Sequence, residues 1–76
     1  MKLIELIYYS TKVVSRDGTS FLNYRKGLYE YQIQRYPDEN WYLCIYLFED
    51  LNNLNSVVSF KKIKVPVEYW GLLLLY

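Results

Sequence analysis

The sequence predicts an all-β fold: a small single-domain barrel or sandwich of about five to six mostly antiparallel strands, with at most one or two helical turns. Three observations predict it. Ten of the 76 residues are tyrosine, and most recur at the two-residue spacing of a strand. Alanine, the best helix former, does not occur. Clusters of Asn, Asp, Pro and Gly cut the apolar runs into strand-sized segments.

Taken in order, Ile4 to Tyr9 reads as a first strand, although the spacing of Leu3, Ile4 and Ile7 also suits one face of a helix. Val13 to Arg16 reads as strand, Asp17-Gly18 turns the chain, and Ser20 to Tyr24 returns, giving an irregular first hairpin. The clearest unit follows. Leu28 to Tyr36 alternates, Pro37-Asp38-Glu39-Asn40 is a polar turn, and Trp41 to Glu49 is the returning strand.

If that turn closes a Tyr36–Trp41 pair, Tyr29, Tyr31, Ile33 and Arg35 oppose Phe48, Tyr46, Cys44 and Tyr42 on the core face. Glu30, Gln32 and Gln34 then oppose Leu47, Ile45 and Leu43, and Trp41 points away from the core. Asp50 to Asn55 forms an Asn-rich turn into the strand Ser56 to Val65, where Lys61, Lys62 and Lys64 before Pro66 mark a protected sheet edge. Val67 to Trp70 makes one tight helical turn, Gly71 breaks it, and Leu72 to Tyr76 forms a final buried strand. Residues 1–76 thus make one domain.

Composition restricts the chemistry. Histidine is absent, which removes the near-neutral proton shuttle and the imidazole metal ligand, and the single Cys44 cannot build a thiolate zinc site. An enzyme is not expected, nor a cofactor or metal. Nine basic and eight acidic residues leave a net charge of +1, too little for a strong single-sign field. With no internal disulfide available and an N-terminal apolar stretch interrupted by Glu5, a soluble protein of the reducing cytoplasm is expected. The run Leu72 to Tyr76 is far short of the roughly 20 residues of a membrane span. The missing alanine also fits an A/T-rich genome, such as a viral one.

Several landmarks fall in a familiar order. Leu6-Ile7-Tyr8, then Ser20-Phe21 and Lys26-Gly27, then Trp41-Tyr42, and finally Pro66 with Tyr69 resemble the conserved segments of SH3 domains. The resemblance implies a small barrel whose Tyr8, Trp41, Pro66 and Tyr69 line a shallow groove for proline-rich helices, with Asp17 selecting a basic ligand side chain. The pattern departs where Ser10 replaces the second tyrosine of the early motif and where the hairpin after Trp41 is extended.

Other candidates have ordinary explanations. Tyr29, Tyr31, Tyr42 and Tyr46 could stack on bases, but cross-strand pairing explains them. Asp50 to Asn55 lacks the Gly and bidentate Glu of a calcium loop, Glu49 and Asp50 point to opposite faces, and Cys44 has no activating base. The expected function is a non-catalytic module that engages another protein through an aromatic surface, as an adaptor or stoichiometric modulator. The alternative is a single-stranded nucleic-acid binder using Lys61, Lys62 and Lys64 with Arg25 and Lys26. Leu43, Ile45, Leu47 and the terminal leucines are either core or the interface of a homodimer.

Overall fold

The computed structural model describes residues 2–75. Five antiparallel strands form one sheet in the order β1-β2-β3-β4-β5, so every strand pairs with its neighbour in sequence. They are β1 (Thr11–Val14), β2 (Ser20–Lys26), β3 (Tyr29–Arg35), β4 (Trp41–Phe48) and β5 (Val57–Lys64). Two short helices flank them: α1 (Leu3–Tyr9) before the sheet, and α2 (Trp70–Leu73) after a 3-10 turn over Val67–Tyr69. The mostly-β class agrees with the sequence reading. No helix among the described residues is long and apolar enough to cross a membrane.

α1 replaces the strand expected at Ile4 to Tyr9. Leu3, Leu6 and Ile7 stand at helical spacing, and all three pack on the core, Leu6 and Ile7 being buried. That stripe outweighs the β preference of Tyr8 and Tyr9. Ser10 ends the helix, its N–H bonding to the Leu6 carbonyl and its hydroxyl to that of Ile7 at 2.9 Å. At the other terminus, the expected strand from Leu72 is also helical, and Gly71 lies inside α2 rather than breaking it. Trp70 Nε1 donates to the Val65 carbonyl at 2.8 Å, which ties α2 to the end of β5 and turns Leu73 into the core. Tyr76, the last residue of the expected strand, lies outside the described residues.

The core is a row across the sheet with the helices laid on it. Leu22, Ile33 and Leu43 are direct cross-strand neighbours on β2, β3 and β4, and Leu6, Ile7, Val65 and Leu73 close over them. Each such side chain contributes roughly 1.5–3 kcal/mol by leaving water.

The β3–β4 register differs from the sequence reading by one residue. Arg35 pairs with Trp41, Ile33 with Leu43 and Tyr31 with Ile45. The cause lies in the turn. Glu39 N–H bonds to the Tyr36 carbonyl and Tyr36 N–H to the Asn40 carbonyl, both at 2.9 Å, while Glu39 takes a left-handed φ of 68°. A type I turn followed by a left-handed residue makes a three-residue loop, and Asn40 belongs to the hairpin instead of the turn. Because side chains alternate, the slip turns all of β4 over. Trp41, Leu43, Ile45 and Leu47 face the helices; Tyr42, Cys44, Tyr46 and Phe48 face the other side with Glu30, Gln32 and Gln34.

Candidate protein-binding face

One face of the sheet carries the helices and, among the described residues, the other carries none. On this open face β3 presents Glu30, Gln32 and Gln34, β4 presents Tyr42, Cys44 and Tyr46, and β5 presents Phe60, Lys62 and Lys64. Its polar groups are linked. Arg25 Nε donates to Glu30 Oε1 at 2.7 Å, Gln32 Nε2 to Glu30 Oε2 at 3.2 Å, and Gln34 Nε2 to Gln32 Oε1 at 3.5 Å. Glu30 is buried and pairs with the exposed Arg25 guanidinium.

The aromatic part lies toward β5. Tyr36 and Tyr42 meet edge to face with ring centroids 4.9 Å apart, and Lys62 Nζ sits 3.8 Å and 4.3 Å from their centroids. Tyr46 and Phe60 pack at 5.1 Å beside them. The Tyr42 hydroxyl donates to Asp38 Oδ2 at 2.7 Å, which lowers the carboxyl of Asp38 and raises the phenol of Tyr42. Beneath, the fully buried Cys44 thiol meets the Tyr36 hydroxyl at 3.4 Å and the Gln34 amide at 3.8 Å. Its hydrogen bond to Cys44, with some burial, pushes the Tyr36 phenol up to about 12. Cys44 therefore lies under the open face, not on the helix-bearing core face where the sequence reading put it.

The residues of the SH3-like groove are placed elsewhere. Trp41 and Tyr69 are half-buried and pack against the core cluster. Trp41 also lines a small recess with Leu22, Phe21 and Leu73, a consequence of the register. Pro66 is exposed at the start of the 3-10 turn. Tyr8 is 76% exposed on α1, beside an apolar groove of about 150 Å³ formed with Ile4, Ile7, Leu72 and Leu75. Asp17 stands at the β1–β2 turn and accepts from the Ser15 hydroxyl, the Thr19 hydroxyl and the Thr19 amide, which together hold its carboxyl at about 2.

Of the basic set, Arg25, Lys62 and Lys64 share the open face, while Lys26 and Lys61 lie on the opposite side in register with Tyr29 and Ile45. Sequence reasoning missed Tyr36, Phe60 and the glutamines as parts of one surface. The alternation Glu30, Gln32, Gln34 was the available signal, and the register of β4 decided what stood beside it. The chain matches no family model, no curated protein and no solved structure.

Proposed function

We propose that the protein is a non-catalytic binding module that engages a protein partner through the open face of its sheet, as an adaptor or a stoichiometric modulator. One observation carries this reading: a sheet face on which Tyr36 and Tyr42 hold Lys62 in place and Tyr46 packs on Phe60 beside them, next to Gln32 and Gln34 of β3. Large rings held by neighbours lose little freedom on docking, and hot spots in interfaces are rich in such residues. A groove of Tyr8, Trp41, Pro66 and Tyr69 with Asp17 is a weaker form of the same idea. Trp41 and Tyr69 serve the core, and Asp17 spends its Oδ1 on three hydrogen bonds within its own turn.

A single nucleic-acid strand would meet the same aromatic face, with Lys62 and Lys64 beside it. Arg25 is paired with Glu30, however, which leaves Lys62 and Lys64 as the cations of this face without an ion-pair partner among the described residues, a short run for tracking a phosphate backbone. The experiment is affinity capture from host extract with the wild-type chain and with Tyr46→Ser and Phe60→Ser, scoring bound proteins and nucleic acid together. A protein retained by the wild type and lost from both folded variants supports the reading. Binding of single-stranded DNA or RNA that weakens steeply with salt and vanishes when Lys61, Lys62 and Lys64 become Ser would replace it.

A further inference from the structure

β5 is an edge strand with β4 on one side and, among the described residues, no strand on the other. The direction of its backbone groups follows from the register. Val65 donates its N–H to the Trp41 carbonyl at 2.8 Å, and the ladder continues through Leu43↔Ile63, Ile45↔Lys61 and Leu47↔Ser59. In an antiparallel pair alternate residues exchange both hydrogen bonds. Ile63, Lys61 and Ser59 thus turn their backbone groups to β4, while Phe60, Lys62 and Lys64 turn theirs outward. A register shift at Leu47/Phe48 confines the regular edge to 59–64.

We propose that β5 receives an acidic, extended segment of a protein partner as a sixth, antiparallel strand. This names the partner class for the open-face reading and rests on it, since Phe60, Lys62 and Lys64 belong to both surfaces. Lysines 61, 62 and 64 crowd onto the edge and reach both faces of the sheet. The ion pair among the described residues is Arg25–Glu30, which leaves these three ammonium groups without a carboxylate bridge. Lys62 is already held in place over Tyr36 and Tyr42.

The same lysines disfavour a second copy as occupant. Antiparallel self-pairing centred on Lys61 or Lys62 sets that residue against itself, and centring on Ile63 sets Lys62 against Lys64. An acidic strand converts this repulsion into attraction. Reading from its N-terminus, the residues opposite Lys64, Ile63, Lys62, Lys61 and Phe60 would be acidic, apolar, acidic, acidic and aromatic.

The test uses the full chain and a labelled peptide of about ten residues carrying Glu-Val-Glu-Glu-Tyr at its centre, a length suited to the strand. Controls replace each Glu by Lys, or N-methylate either the peptide residues opposite Phe60, Lys62 and Lys64 or those opposite Lys61 and Ile63. The acidic peptide should bind, weaken about tenfold or more in the Lys62→Glu/Lys64→Glu variant, and slow hydrogen exchange at the amides of Phe60, Lys62 and Lys64. N-methylation of the first set should abolish binding and of the second leave it intact. No protein variant is involved in that comparison, so folding does not enter it.

Equal binding of the Glu and Lys peptides, equal effects of the two methylation sets, or unchanged exchange at those amides would overturn strand addition. If exchange is unchanged while the ring resonances of Tyr46 and Phe60 shift, the open-face reading survives and the edge does not. If the peptide adds to β5 while Tyr46→Ser and Phe60→Ser leave partner capture intact, the edge stands and the open face does not.

Discussion

Asp17 shows how far a fully exposed residue can depart from solution behaviour when its neighbours are arranged for one charge state. Ser15 and Thr19 give it three hydrogen bonds, and its carboxyl falls from an ordinary value near 3.8 to about 2. A depressed folded value means that the ionised form steadies the turn. That contribution is complete above about pH 4 and disappears as the pH falls through about 2. A carboxyl NMR titration should give a midpoint near 2 in the wild type, returning toward 3.8 in Ser15→Ala/Thr19→Ala.

At Trp41 the same scale argues against a free anchor, because the indole faces α2 and the core. Trp41→Ala should lower stability by about 2–4 kcal/mol, within the range of large aromatic deletions reduced for partial burial. Denaturant unfolding reads it directly. An unchanged midpoint would mean that the indole packs on nothing.

Elements were legible where the pattern was long and lost where a single residue decided. Alternation from Tyr29 to Arg35 and the apolar run from Trp41 located β3 and β4 to within about a residue, as strong periodicity does. Their register was hidden in Glu39, whose left-handed backbone carries no glycine to announce it. Glu39→Gly should relieve that backbone cost and stabilise the hairpin by about 0.5–1 kcal/mol, whereas Glu39→Val should destabilise it by a similar amount. Thermal melting of the two variants, moving in opposite directions, is the check.

The helices were legible only in part: the turn from Val67 was expected and the spacing of Leu3, Ile4 and Ile7 left a helix open, but strand was preferred at Ile4 to Tyr9 and from Leu72. Seven residues at Leu3–Tyr9 and four at Trp70–Leu73 are too short to declare themselves by propensity, and each is helical because the sheet gives its apolar stripe a place to lie. The candidate site inherited both errors. Composition and turn signals pointed to clustered aromatics in a β protein, but which aromatics share a face depended on the one-residue slip.

Over the whole molecule, a meander covered on one side divides the leucines of the C-terminus sharply. Leu73 is 1% exposed and sits in the core, while the adjacent Leu74 is 70% exposed. Leu73→Ala should cost about 2–4 kcal/mol, and Leu74→Glu should change stability by less than about 0.5 kcal/mol. Chemical denaturation of both separates an α2 docked through Leu73 from the buried terminal strand that the sequence suggested, in which these adjacent leucines would both matter. A far-ultraviolet circular dichroism spectrum should be dominated by strand.

The lone thiol turns the same architecture into a clock. Cys44 has no exposed surface, lies on β4 between two paired neighbours, and is covered by Tyr36 and Gln34. A disulfide reagent can reach it only when these side chains move aside or the sheet opens. Labelling in native buffer should be slow, first order and, once reagent is in excess, independent of reagent concentration, because the rate is then that of opening. Fraying of α1 or of the β1 edge leaves Cys44 covered and goes unrecorded. With one reactive atom under the open face, the protein reports the lifetime of its own cover without any engineered probe.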